Sequence, residues 1–136
     1  MTKPRSFDVQ AIEIHAPAAA VFEFVRNPRN LPQWAEAFQS ADEERARLAT
    51  PAGIAEIGLC TMAAPGAGTV DWRLEFPDGS VGLAHSRVTE TNRGTCIYSF
   101  VLHAPPVPLE QLEGALDAQR ATLQRELATL KSVMER

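Results

Sequence analysis

Trp72, His85, Arg87, Tyr98 and Phe100 are the residues of this chain whose types and placement can do chemistry together. Val70, Trp72, Leu74 and Phe76 alternate with Asp71, Arg73 and Glu75, the pattern of a half-buried antiparallel strand. Pro77-Asp78-Gly79-Ser80 follows, and an Asp-Gly centre is a strong type I′ hairpin signal. With Pro77 opposite Ser80, Phe76 faces Val81, Leu74 faces Leu83, Trp72 faces His85 and Val70 faces Arg87. Cross-strand neighbours share a face, so His85 and Arg87 are expected to point inward beside Trp72. In the next strand Cys96, Tyr98, Phe100 and Leu102 form the uniformly apolar or aromatic set, placed inward. A turn near Thr91-Asn92-Arg93-Gly94 then sets Tyr98 opposite Arg87 and Phe100 opposite His85.

Such a face carries much hydrogen-bonding capacity for a dry interior. A buried polar group without a partner costs about 1–3 kcal/mol, so these groups must satisfy one another or line a pocket. Apolar and aromatic walls with a few polar groups are the makeup of a small-molecule site. Arg87 can pair with a carboxylate, phenolate or enolate, which allows an anionic ligand. His85 and Tyr98 can donate to an oxygen or move a proton, and are the candidate catalytic residues. Taken singly, each has a blander reading. Arg87 can reach water over its apolar stem, and His85 can be a satisfied interior histidine. No nucleophile, base and orienting acid occur as a set, which favours binding over catalysis.

The elements that must position this face are legible along the chain. Phe7 to Ile14 reads as a strand, Ala18 to Arg26 as a short helix opened by Pro17, and Leu31 to Phe38 as a second short helix carrying Trp34. Glu43 to Thr50 is a polar strand and Ile54 to Met62 a better one. Leu109, Leu112, Leu116, Leu123, Leu127, Leu130 and Met134 recur at steps of three and four, an apolar stripe on a helix over Pro108 to Arg136. The stripe breaks at Gln119, which either faces a cavity beneath the helix or reaches water at the edge.

Composition narrows the classes. The chain of 136 residues reads as one domain with an ordinary apolar fraction of 45%. A net charge of −4 argues against a dedicated nucleic-acid binder. No apolar run approaches the ~20 residues of a membrane span. Met1-Thr2-Lys3-Pro4-Arg5 does not open a secretory signal, and Cys60 and Cys96 read as free buried thiols, so a cytoplasmic home is expected. His15, His85 and His103 lack metal-ligand spacing, and Gly66-Ala67-Gly68 leads into a strand rather than a helix. No metal or cofactor is expected.

Ala16-Pro17 before Val21-Phe22, then Asn27-Pro28, Leu31-Pro32 and Trp34, resemble the SRPBCC superfamily, also called START-like, polyketide cyclase-like or helix-grip proteins. Val70-Asp71-Trp72 through Pro77-Asp78-Gly79 to Arg87-Val88, and Glu126-Leu127 to Leu130-Lys131 with Glu135, resemble its small bacterial members. The resemblance covers almost the whole chain and implies an α+β fold. A curved antiparallel sheet of about six strands would wrap the long helix, with two short helices closing one end of a cavity. It adds Trp34, Phe38, Leu116 and Gln119 to the ligand-binding set of Trp72, His85, Arg87, Tyr98 and Phe100. Members bind lipids, sterols, polyketides or phenolics, and some are cyclases or hydratases. Binding of a small, mainly hydrophobic or aromatic ligand is therefore the leading expectation. A cyclase, aromatase or dehydratase using His85 or Tyr98 is the alternative. A third reading is a protein-interaction module or homodimer, seated on an outer face of Gly82, Ala84, Ser86, Ile97, Ser99 and Val101.

Overall fold

The computed structural model describes residues 6–50, 53–103 and 109–136. Strand β1 (Phe7–Ile14) buries Asp8, Ile14 and, in part, Gln10 and Ile12, and turns Phe7, Val9 and Glu13 outward. Helix α1 (Ala18–Arg26) and a 3₁₀ helix (Pro28–Gln33) carry the chain away from it. β2 (Phe38–Ala41), β3 (Arg45–Thr50), β4 (Gly53–Ala64), β5 (Thr69–Glu75), β6 (Val81–Glu90) and β7 (Cys96–His103) return as a meander. The seven-stranded sheet has the order β1-β7-β6-β5-β4-β3-β2, antiparallel throughout. β7 closes on β1, while the two short helices cross to the far edge.

Helix α2 (Leu109–Met134) lies over the inner face and buries Leu123, Leu127 and Leu130 against Ile14, Val70, Trp72, Tyr98 and their neighbours. Polar ties hold it on both flanks. Lys131 Nζ donates to Glu13 O at 2.9 Å, and Glu135 accepts from His15 N at 2.7 Å. On the other side Arg125 donates to both carboxylate oxygens of Glu36, at 3.0 and 3.2 Å. The helix-grip α+β architecture implied by the resemblance is the one observed, with seven strands.

The extra strand is β2. The segment expected as a helix over Leu31 to Phe38 stops early. Pro32 removes an amide inside it, and the turns close by short-range bonds such as Trp34 N to Leu31 O at 3.1 Å. Trp34 leaves helical geometry, and Phe38 pairs with Leu48 at the sheet edge.

The two hairpins flanking β6 correct the expected register. Phe76 N donates to Ser80 O and Gly79 N to Phe76 O, both at 2.9 Å, so the loop has three residues rather than two. Gly79 has φ +87°, and no described residue other than glycine has positive φ, which excludes the type I′ turn with its left-handed Asp78. Pro77 pre-sets the first position of a type I turn and Gly79 takes the left-handed bulge behind it. The loop after β6 repeats this pattern: Thr91 N donates to Thr95 O at 3.0 Å and Gly94 has φ +78°.

Each loop shifts its pairing by one residue. Trp72 faces Ala84 rather than His85, and Val70 faces Ser86 rather than Arg87. Tyr98 faces Val88 and Phe100 faces Ser86. The two shifts cancel for β7, so Cys96 and Tyr98 are buried on the side expected. They leave β6 alone reversed, with Ala84, Ser86 and Val88 inward and His85 and Arg87 outward.

Candidate functional site

Aromatic side chains from three elements meet between the sheet and α2. Trp72 comes from β5, Tyr98 and Phe100 from β7, and Trp34 from the segment after the 3₁₀ helix. Their rings form a closed circuit. Trp34 lies 6.5 Å from Trp72 and 6.0 Å, edge to face, from Tyr98. Trp72 stacks on Phe100 at 6.0 Å, and Phe100 meets Tyr98 at 6.5 Å. Such pairs contribute about 0.5–1.5 kcal/mol beyond their buried area, so the circuit also fixes the ring positions.

Beside this circuit is an apolar pocket of about 120 Å³. Among the described residues, Trp34, Phe38, Trp72 and Phe100 line it with Leu31, Ala35, Leu74, Ala84 and one charged residue, Glu126. The reversed β6 accounts for the space. It sets Ala84 opposite Trp72 in the pocket wall, where a bulkier side chain would fill the gap.

Several polar atoms in this interior have no partner. Trp34 Nε1, Trp72 Nε1, Tyr98 Oη, Thr61 Oγ1 and Gln119 Oε1 are buried and make no hydrogen bond. Ser86 Oγ, which donates its proton to Val70 O at 2.5 Å, is near the Tyr98 hydroxyl, but the two hydroxyls do not meet in hydrogen-bond geometry. Burial pushes the Tyr98 phenol well above its ordinary value, and it stays protonated. The Gln119 amide oxygen thus lies on the covered side of α2, although Gln119 is not among the residues that line the pocket.

Glu126 is the site residue that the apolar stripe did not reveal. Its Oε2 accepts from Glu36 N at 2.6 Å, and no described residue bonds its Oε1. Burial raises its carboxyl from 4.5 to about 7, assisted by the nearby Glu36 carboxylate and opposed by the Glu36 amide and Arg125. A signal was present. Strict steps of three and four from Leu116 land on Gln119, Leu123, Glu126 and Leu130, placing both polar residues on the seam.

Other members of the expected set lie elsewhere. His85 is on the outer face, its Nδ1 3.4 Å from Asp71 Oδ1 and its ring 5.2 Å from that of His103. Arg87 is exposed, and its Nε donates to Ala67 O at 3.1 Å. It lines an open surface groove of about 540 Å³ with Phe22, Gly68 and Val88, away from the aromatic circuit. That groove is larger than the pocket but contains none of the unpartnered buried atoms. The inward group of Arg87, Tyr98 and His85 is therefore not assembled, because β6 is reversed. The same reversal removes Ala84 and Ser86 from the outer face. Cys60 is exposed rather than buried, as an outward residue of β4, while Cys96 is buried. The Leu116 side chain lies outside the described residues. Among the described residues, no group of three His, Cys, Asp or Glu is placed to hold a metal, and no helix is long and apolar enough to cross a membrane.

The sequence profile of the polyketide cyclase/dehydrase and lipid transport family matches residues 9–135. No curated protein matches the sequence. Among solved structures, XoxI of Bacillus cereus is 14% identical with a TM-score of 0.71, over 96% of each chain. A START superfamily protein of Mycobacterium smegmatis is 12% identical, TM-score 0.70, over 95% of this chain and 97% of its own. The Zhui aromatase/cyclase of a Streptomyces species is 12% identical, TM-score 0.65, over 96% of this chain and 93% of its own. At these identities the likeness is one of fold.

Proposed function

Because the chain belongs to the polyketide cyclase/dehydrase and lipid transport family, we propose that it binds a small, mainly hydrophobic molecule between the sheet and α2. One observation carries the reading: the buried Nε1 atoms of Trp34 and Trp72, two residues that line the unfilled pocket, stand without partners, as do buried polar atoms of Tyr98, Thr61 and Gln119 elsewhere in the interior. Each such atom costs about 1–3 kcal/mol, a cost that a bound molecule with complementary atoms would offset. Apolar cavities of about 150 Å³ hold a benzene ring, so the pocket suits one ring or a short chain.

The chain has two tryptophans, Trp34 and Trp72, and both line the pocket, so its indole fluorescence reports from the site alone. Titration with neutral single-ring aromatics such as 2-phenylethanol should give a saturable change. Ala84→Phe should fill the pocket and abolish that change while the circular dichroism stays native. An unsaturable response, or the same response in Ala84→Phe, would sink the reading.

Tyr98 favours a second reading, an enzyme of cyclase or dehydratase type. A phenol kept protonated by burial can donate to a developing oxyanion or give up its proton, but is no base at neutral pH. His85, on the outer face, cannot share that role at this site. The reading requires that Tyr98→Phe abolish turnover of a bound substrate without weakening its binding. Unchanged turnover in Tyr98→Phe would dismiss it.

A further inference from the structure

The charge lining the pocket has the sign opposite to the one expected from Arg87. Among the described residues, Glu126 is the only ionisable side chain in the lining. The neighbouring cation, Arg125, is exposed and held in a two-pronged pair by Glu36. Arg87 stands on the outer face. The remaining walls include Trp34, Phe38, Trp72 and Phe100, whose ring faces carry the negative end of their quadrupoles and attract cations. An anion entering this space would meet a carboxylate and, among the described lining residues, no cation; the unpartnered indole N–H groups of Trp34 and Trp72 are neutral donors. An ammonium would pair with the carboxylate.

We propose that the pocket selects a hydrophobic amine, its ammonium bound by the free carboxylate oxygen of Glu126 and its apolar body seated against Trp34, Trp72 and Phe100. The proposal rests on the ligand-binding reading above and names the ligand class for that site. Glu126 is suited to the role by what already holds it. The Glu36 amide fixes Oε2 at 2.6 Å, no described residue bonds Oε1, and the side chain lines the pocket. A charge-assisted hydrogen bond in a largely apolar site is roughly twice as strong as a neutral one.

Titration of Glu126 gives the proposal a signature. The charged and titratable groups around it are the Glu36 carboxylate, the Arg125 guanidinium and the distant Tyr98 phenol; the sheet residues of the pocket, Trp72, Leu74, Ala84 and Phe100, add no charge. With its carboxyl near 7, Glu126 is ionised in only part of the molecules at neutral pH. Amine affinity should therefore rise as pH increases from about 5.5 to 8.5, while the affinity of a neutral analogue stays flat.

The test compares phenethylamine, 2-phenylethanol and phenylacetate, which share one ring and differ in the head group, by calorimetry and indole fluorescence. Wild type should bind the amine roughly tenfold or more tightly than the alcohol, and the acid most weakly. Glu126→Gln keeps an oxygen for the Glu36 amide, so the fold should persist. In that variant the amine should lose both its advantage over the alcohol and its pH dependence. Alcohol binding without amine preference, or a preference that survives Glu126→Gln, would overturn this proposal and leave the binding reading intact. If none of the three binds, both fail. The pH series on wild type decides the matter even if the variant does not fold.

Discussion

Glu126→Gln should remove a pH dependence from the stability of the fold. The folded carboxyl titrates at about 7 against an ordinary 4.5, chiefly because burial penalises its charge. Between these values the folded chain keeps a proton that the unfolded chain has released. Its stabilising contribution is complete below pH 4.5, declines as pH rises, and is lost above about pH 7. Each decade in proton affinity is worth ~1.4 kcal/mol, giving a ceiling of about 3 kcal/mol. Glu126 is only partly buried, and solvent screening lowers the expectation to about 2 kcal/mol. The assay is urea unfolding of wild type and Glu126→Gln at intervals from pH 4.5 to 8.5. Taking the difference cancels the exposed carboxylates of Asp42, Glu43, Asp78 and Glu135, whose lowered values act in the opposite direction. Wild type should lose about 2 kcal/mol relative to the variant as pH rises through this range. A flat difference would mean that Glu126 is solvated, and would refute the desolvation reasoning at the pocket.

Three further outcomes follow from packing and burial. Tyr98→Phe removes a buried hydroxyl that has no partner, so stability should change by less than about 1 kcal/mol; a loss above 2 kcal/mol in urea unfolding would reveal a bond that the structure lacks. Gly68→Ala should destabilise by at least about 2 kcal/mol, because φ is +74° and a Cβ would stand 2.4 Å from Val88 O; an unchanged melting temperature would contradict this. Cys60 should react readily with a thiol reagent in the native chain, while Cys96, buried and with its thiol pushed up by desolvation, should react only after unfolding. Fast labelling of Cys96 would show that the β1–β7 edge opens.

The fold was more legible than the site. β1 and α1 have the limits that alternation and Pro17 predict, and the leucine stripe marked α2. These signals are local and long. The inward face of β7 was also legible, since Cys96, Tyr98, Phe100 and Leu102 separate cleanly from their neighbours. β6 was not, because its inner face, Gly82, Ala84 and Ser86, is small and weakly apolar, while its outer face puts Val81 and Leu83 in line with His85 and Arg87. Its direction then depended on loop length, where one residue reverses every side chain. Pro77 held the information: it favours a type I turn, which moves the left-handed position to Gly79 alone. Phe38 passed for a helical residue because Leu31, Trp34 and Ala35 share its spacing, although Pro32 limits the helix. Glu126 escaped notice because hydrophobic periodicity marks where apolar residues fall and is silent about a carboxylate on the same seam.

The most direct measurement of the central claim is a crystal structure of the chain grown with 2-phenylethanol. Ring density between Trp72, Phe100 and Glu126, with the alcohol within hydrogen-bond reach of a buried atom that now lacks a partner, is the predicted result. An interior closed by its own side chains, with the alcohol absent or confined to the surface groove beside Arg87, would contradict it.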